Sequence, residues 1–153
     1  MQRKSWDEYF IEIAQLIATR STCLRRKVGA VAVKDKQILA TGYNGVPTGI
    51  QHCEETGCVR KMKNIPSGER HEICMGSHGE MNVIAQAARH GISLKGCTLY
   101  CTTYPCSMCA KLIVNTGIKQ VIHVDDYNDD LSKKILENIQ VSQFRSSEES
   151  EDF

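Results

Sequence analysis

Residues 78–124 read HGEMNVIAQAARHGISLKGCTLYCTTYPCSMCAKLIVNTGIKQVIHV, and the order of patterns in this stretch decides the fold. Met81, Ile84, Ala85 and Ala88 fall on one helical face, so 79–90 is predicted as a helix that Gly91 ends. Residues 98–102 read as a strand. Pro105 opens a second helix over 106–115 and Gly117 closes it. Residues 120–124 form the next strand. Helix, strand, helix, strand is the pattern of parallel strands joined by right-handed crossovers.

The flanks complete the picture. Tyr9, Phe10, Ile13, Leu16 and Ile17 give helical spacing to residues 6–19. Residues 28–33 and 37–43 read as paired strands, with Lys34-Asp35-Lys36 as the polar turn of a hairpin. Residues 130–138 suggest a short helix and 141–144 a last strand. The expected fold is therefore α/β, a three-layer α/β/α sandwich around a mixed five-stranded sheet. Its last three strands are parallel and an antiparallel hairpin lies at the other end. Residues 1–145 are expected to form a single domain, with a polar, acidic tail at 146–153 that frays. Residues 44–77 have no sustained periodicity and hold several Gly and Pro. A loop that long inside a compact domain is functional or needs its own staple.

Composition removes some function classes. A formal net charge of +1 lacks the electrostatic footprint of a nucleic-acid binder. Arg25-Arg26-Lys27 is the densest basic patch, and its plain reading is a solvated turn before a strand. No apolar stretch approaches the roughly 20 residues of a membrane span, and the first residues lack the apolar core of a signal peptide. Eight cysteines without a secretory signal argue for metal binding or reduced thiols and a cytoplasmic location.

The chemistry is concentrated in His78-Gly79-Glu80 and Pro105-Cys106-Ser107-Met108-Cys109. His78, Cys106 and Cys109 offer one imidazole and two thiolates. Three protein ligands leave zinc's fourth position open, the arrangement of a catalytic site. Cys106 and Cys109 are three apart on a helix turn and can pinch one ion. Glu80 need not ligate and reads as the proton shuttle. A structural zinc knuckle is the rival reading, but it shows two tight ligand pairs and has no use for Glu80. His-x-Glu followed by Pro-Cys-x-x-Cys is the signature of zinc deaminases of cytosine or adenine rings.

A second cluster lies around the loop: Cys23, Cys53, Cys58, His71 and Cys74. A closed zinc held by four of these five would staple residues 44–77, and the sequence does not choose the four. Scattered buried thiols are the plainer alternative. Cys97 and Cys101, four apart on a strand, read as core, as do His90 and His123 as ordinary helix-end and strand residues.

These motifs, with Val28-Gly29-Ala30-Val31, Thr41-Gly42-Tyr43-Asn44-Gly45, Gly117-Ile118-Lys119 and Asp125-Asp126-Tyr127, resemble the cytidine deaminase-like superfamily and, within it, its deoxycytidylate (dCMP) deaminase branch. The resemblance runs from about residue 6 to about 144. It implies conversion of dCMP and water to dUMP and ammonia. It further implies a homohexamer, activated by dCTP with Mg²⁺ and inhibited by dTTP; the charge balance and the lack of a long apolar stretch lead us to expect no polynucleotide or membrane partner. By the same resemblance Asn44 bonds the sugar, the Gly79 backbone bonds the pyrimidine edge, Tyr127 belongs to the substrate site, and Gly42, Tyr43 and Gly45 take part in the effector site. Arg25 is the first choice as a phosphate ligand. Zinc-stapled members favour Cys23, Cys53 and His71 or their neighbours for the second metal. One departure is Gly79, where the family usually carries Ala; the glycine keeps the backbone donor and widens the pocket by a methyl group. A polynucleotide deaminase is the main alternative, and it would need a basic groove and stacking aromatics, whereas aromatic residues are only 6% of the chain.

Overall fold

The computed structural model describes residues 2–146. The elements run α1 (Trp6–Ala18), β1 (Gly29–Lys34), β2 (Gln37–Tyr43), α2 (Cys53–Thr56), α3 (Val59–Met62), α4 (Gly79–His90), β3 (Thr98–Thr103), α5 (Ser107–Asn115), β4 (Gln120–Asp125), α6 (Asp130–Ile135) and β5 (Gln140–Gln143), with a 3₁₀ turn at His71–Ile73. The five strands form one sheet in the order β2-β1-β3-β4-β5. β3, β4 and β5 are parallel, and β1 is antiparallel to both neighbours. The tail expected to fray lies almost wholly outside the described residues.

Strand alternation separates two cores. Val31, Val33, Tyr100 and Ile122 point to one face, where Phe10, Ile11 and Ala14 of α1 cover them. Ala30, Ala32, Leu99, Cys101 and Val121 point to the other, under Val83 and Ala87 of α4 and Ile113 of α5. Cys97 and Cys101 are fully buried there. This is the three-layer sandwich, with α1 alone on its side.

The hairpin turn is tighter than the sequence suggests. Lys34 pairs with Gln37, leaving Asp35 and Lys36 at φ 51° and 63°. Two successive positive φ values give the primed turn that matches strand twist. Helix α6 ends at Ile135, short of the expected 138, because 136–138 turn the chain into β5. The long loop is not wholly irregular. Besides α2, α3 and the 3₁₀ turn, its ends are tied by a pair of backbone hydrogen bonds, Gly45 N to Ser77 O at 3.0 Å and Ser77 N to Gly45 O at 2.7 Å.

Two glycines let helices lie directly on strands. A Cβ at Gly29 would stand 2.1 Å from Ala14 O of α1, and one at Gly42 would stand 2.4 Å from Gly79 O and 2.6 Å from Val83 N of α4. Gly42 therefore sets how closely the first turn of α4 approaches the sheet. Gly42→Ala is expected to destabilise the fold by about 1–3 kcal/mol, the range of an overpacked contact, and to lower Tm by several degrees. Gly45→Ala, whose Cβ meets nothing nearer than 3.8 Å, serves as the control. Equal Tm for the two variants in thermal melts overturns the packing role.

Candidate active site

Two helices begin at the same place. His78 is the N-cap of α4 and Cys106 the N-cap of α5, both with extended backbone. The sequence placed Cys106 inside its helix; the structure places it one residue outside, at the cap. Both helix N-termini therefore face the site, where their unpaired N–H groups and partial positive charge favour anionic ligands.

Three ligand atoms converge. His78 Nδ1 lies 3.3 Å from Cys106 Sγ and 3.3 Å from Cys109 Sγ. Among the described residues, His78, Cys106 and Cys109 are the group whose ligand atoms all lie within 4.8 Å of one another. A tetrahedral zinc with ordinary bond lengths spaces nitrogen and sulfur ligands about 3.6 Å apart, so the donor set and its spacing fit that ion.

The thiols are electrostatically unequal. Cys106 is pulled down to about 4 by hydrogen bonding to Cys109 and His78, against a contrary effect of burial. Cys109 is pushed up by its hydrogen bond to Cys106 and by burial. The His78 imidazole is raised, chiefly by its contact with Cys106 and against burial.

Glu80 sits on the first turn of α4, 3% exposed, with its Oε2 3.5 Å from Cys109 Sγ. Burial raises its carboxyl above the ordinary value, partly opposed by a backbone hydrogen bond and by His78. It is a carboxyl poised to exchange a proton beside the metal ligands.

His78, Glu80 and Cys106 border a cavity of about 540 Å³, within the range of small-molecule sites. Asn44, Gly79, Tyr127 and Arg25, expected at the substrate, all line it. Asn44 is partly committed already: its Oδ1 accepts from Val28 N at 2.8 Å and its Nδ2 donates to Arg26 O at 2.7 Å. That pairing pins the segment entering β1. A methyl group on Gly79 would reach Val28 O at 3.3 Å and Val28 Cγ1 at 3.4 Å, so the space its absence leaves lies against β1. Arg25 donates to Ile65 O at 2.9 Å and clasps the loop. Arg26 is exposed, bonds Thr103 Oγ1 at 2.5 Å and lies over the Tyr127 ring at 6.0 Å. Of the turn expected to meet effectors, Gly45 lines the cavity, Gly42 is buried under α4 and Tyr43 is exposed.

The loop cysteines divide from the loop histidine. Cys23, Cys53, Cys58 and Cys74 are all free thiols on the cavity wall. The Cys53 thiol is raised by burial and then by Cys23, Cys58 and Cys74. His71 instead packs its ring edge-to-face on His78, centroids 5.0 Å apart. Sequence reading missed two residues. Arg60 is 8% exposed on the same wall, yet nothing in Val59-Arg60-Lys61-Met62-Lys63 separates it from its basic neighbours. Asp129 accepts from Ser107 N at 2.9 Å and Ser132 N at 3.0 Å, so one carboxylate caps both α5 and α6; its N-cap position before α6 was the available signal.

Residues 4–124 match the family model described as the cytidine and deoxycytidylate deaminase zinc-binding region. The deoxycytidylate deaminase of Schizosaccharomyces pombe is 41% identical over 128 residues, which are 84% of this chain and 39% of that protein. This chain thus spans less than half the length of the yeast relative. The deoxycytidylate deaminase of Mycobacterium phage D29 is also 41% identical over 128 residues, 80% of this chain and 97% of its own. Among solved structures, the dCMP deaminase of cyanophage S-TIM5 in complex with dCMP and dUMP is 30% identical. It superposes with a TM-score of 0.76 over 94% of this chain and all of that one.

Proposed function

This chain belongs to the cytidine and deoxycytidylate deaminase family, and from that premise we propose that it hydrolyses dCMP to dUMP and ammonia. The observation that carries the reading is the His78, Cys106, Cys109 triangle with the buried Glu80 carboxyl beside it, opening on one cavity. The relatives named deoxycytidylate deaminase support the substrate.

In this reading His78, Cys106 and Cys109 hold zinc. When bound, zinc supplies Lewis-acid activation of water near neutral pH. Glu80 takes a proton from the water that adds to C4 and delivers it to ring N3. Glu80 then passes the second proton to the amine, and the C4–N bond breaks to release ammonia. The Gly79 N–H, in the first turn of α4 where no intrahelical acceptor exists, bonds the pyrimidine edge. Asn44 offers its remaining hydrogen-bonding capacity to the sugar, and Tyr127 walls the site. Residues 1–145 act as one deaminase domain. No described helix is long and apolar enough to cross a membrane.

We assign the loop metal to Cys23, Cys53, Cys58 and Cys74. All four thiols lie on one cavity wall while the His71 ring is turned onto His78, which supports that choice over a set containing His71; among the described residues no three of these sulfurs lie within 4.8 Å of one another, so a bound ion would have to draw them together. Four thiolates suit a closed structural zinc. Control by dCTP with Mg²⁺ and by dTTP, with Gly42, Tyr43 and Gly45 at the effector, and a homohexameric assembly rest on resemblance at the Gly42–Gly45 turn.

Glu80→Gln is expected to lower kcat at least about a hundredfold, the scale of a lost general acid–base, while zinc content stays at the wild-type level. Loss of more than half the metal, or a near-normal rate, overturns the role of Glu80.

Elemental analysis is expected to find about two zinc ions per chain, one open site and one closed. Cys74→Ala should retain only the catalytic ion. One ion per wild-type chain refutes the loop site.

Ammonia release should be compared for dCMP, deoxycytidine and a cytosine-containing oligonucleotide. kcat/KM for dCMP is expected to exceed that for deoxycytidine by at least ~10²-fold, about two charge-assisted hydrogen bonds. The oligonucleotide should be inert. Comparable values for dCMP and deoxycytidine remove the monophosphate reading. In the same series dCTP with Mg²⁺ should raise the rate and dTTP lower it; a rate indifferent to both removes the effector assignment.

A further inference from the structure

Buried side-chain polar atoms left without a hydrogen-bond partner are rare in folded proteins, and each calls for an explanation. Among the described residues they are Arg60 Nε and both ring nitrogens of His71. All three belong to residues lining the cavity described above. Nothing in the fold required these orphans to gather there, so their convergence marks the place of a missing polar group.

The charge narrows what that group is. Arg60 is 8% exposed, yet none of the ion pairs among the described residues includes it. Removing a guanidinium from water without an opposite charge is costly, so such residues are found with an anion. The fork geometry of arginine suits a phosphate or carboxylate. The other cations nearby are otherwise engaged: Arg25 holds Ile65 O, Lys61 holds Leu24 O at 3.1 Å, and Arg26 is exposed beside Tyr127. Arg60 lines the same cavity as His71, His78 and Tyr127.

We propose that Arg60, with His71 beside it, receives the 5′-phosphate of the substrate and is the residue that makes the site select a nucleoside monophosphate over a nucleoside. The inference rests on the deaminase reading above and deepens it. It replaces Arg25, the first choice from sequence, with a residue from the middle of the long loop. The loop thereby contributes a specificity element as well as covering the site.

The test uses the full chain and two substrates in each preparation. The quantity read is the ratio of kcat/KM for dCMP to that for deoxycytidine, which cancels any difference in the fraction of folded protein. Arg60→Gln keeps most of the stem and removes the charge; Arg60→Lys keeps the charge and loses the fork. The ratio is expected to fall about 10- to 100-fold in Arg60→Gln, the worth of a charge-assisted contact, and to recover in part in Arg60→Lys. A ratio within threefold of wild type in Arg60→Gln overturns the proposal, as does Arg60→Lys performing no better than Arg60→Gln. Loss of zinc in Arg60→Gln with an unchanged ratio also overturns it and makes Arg60 a counter-ion of the loop cysteines. A wild-type protein without preference for dCMP defeats the substrate reading and this inference together, whereas a wild-type preference that survives in Arg60→Gln defeats this inference alone.

Discussion

The site depends on keeping two helix N-termini side by side. His78 caps α4 and Cys106 caps α5, and their ligand atoms meet at 3.3 Å. A shift of either helix by an ångström separates the donor atoms. Each helix is accordingly fixed by short-range means. The first turn of α4 lies on the backbone of Gly42, and Asn82 Nδ2 donates to Tyr43 O at 2.7 Å. The start of α5 is held by Asp129 at Ser107 N and by Ser132 Oγ donating to Pro105 O at 2.7 Å. The buried strands supply the floor, and these polar and steric contacts set the position on it.

That geometry also sorts the charges. Cys106 gains anionic character from its hydrogen-bonding neighbours, while Glu80, the second residue of α4 and buried, is biased toward its protonated form. Two acidic groups in one pocket are thus driven in opposite directions by different surroundings, the condition under which one serves as ligand and the other exchanges protons.

The sheet and its crossovers were legible because alternation and helical spacing are local signals. Gln37–Tyr43 and Gly79–His90 coincide with their expected bounds. The metal triad was legible because its spacing is itself a chemical requirement. What escaped was long-range. Arg60 reaches the cavity wall only when residues 44–77 fold back against the segment before β1, where Arg25 bonds Ile65 O and Lys61 bonds Leu24 O, and no periodicity in the loop encodes that path. Sequence distance likewise cannot show that the His71 ring packs edge-to-face on His78. The short helix before β5 was overextended because Leu136 continues an apolar spacing that the turn at 136–138 interrupts.

Asp129 has a mechanical consequence. One of its oxygens holds α6 and the other holds the first residue after Cys106, while Tyr127, two residues earlier, lines the cavity. The segment from β4 to α6 and the cysteine-bearing turn of α5 are therefore one lever with a single pivot. A displacement of Tyr127 that moves Asp129 bears on the Asp129–Ser107 hydrogen bond, next to the thiol beside His78. A loop graft meant to broaden the choice of base must carry Asp129 with it; a graft that drops the aspartate detunes the metal ligands while appearing to touch only the cavity wall.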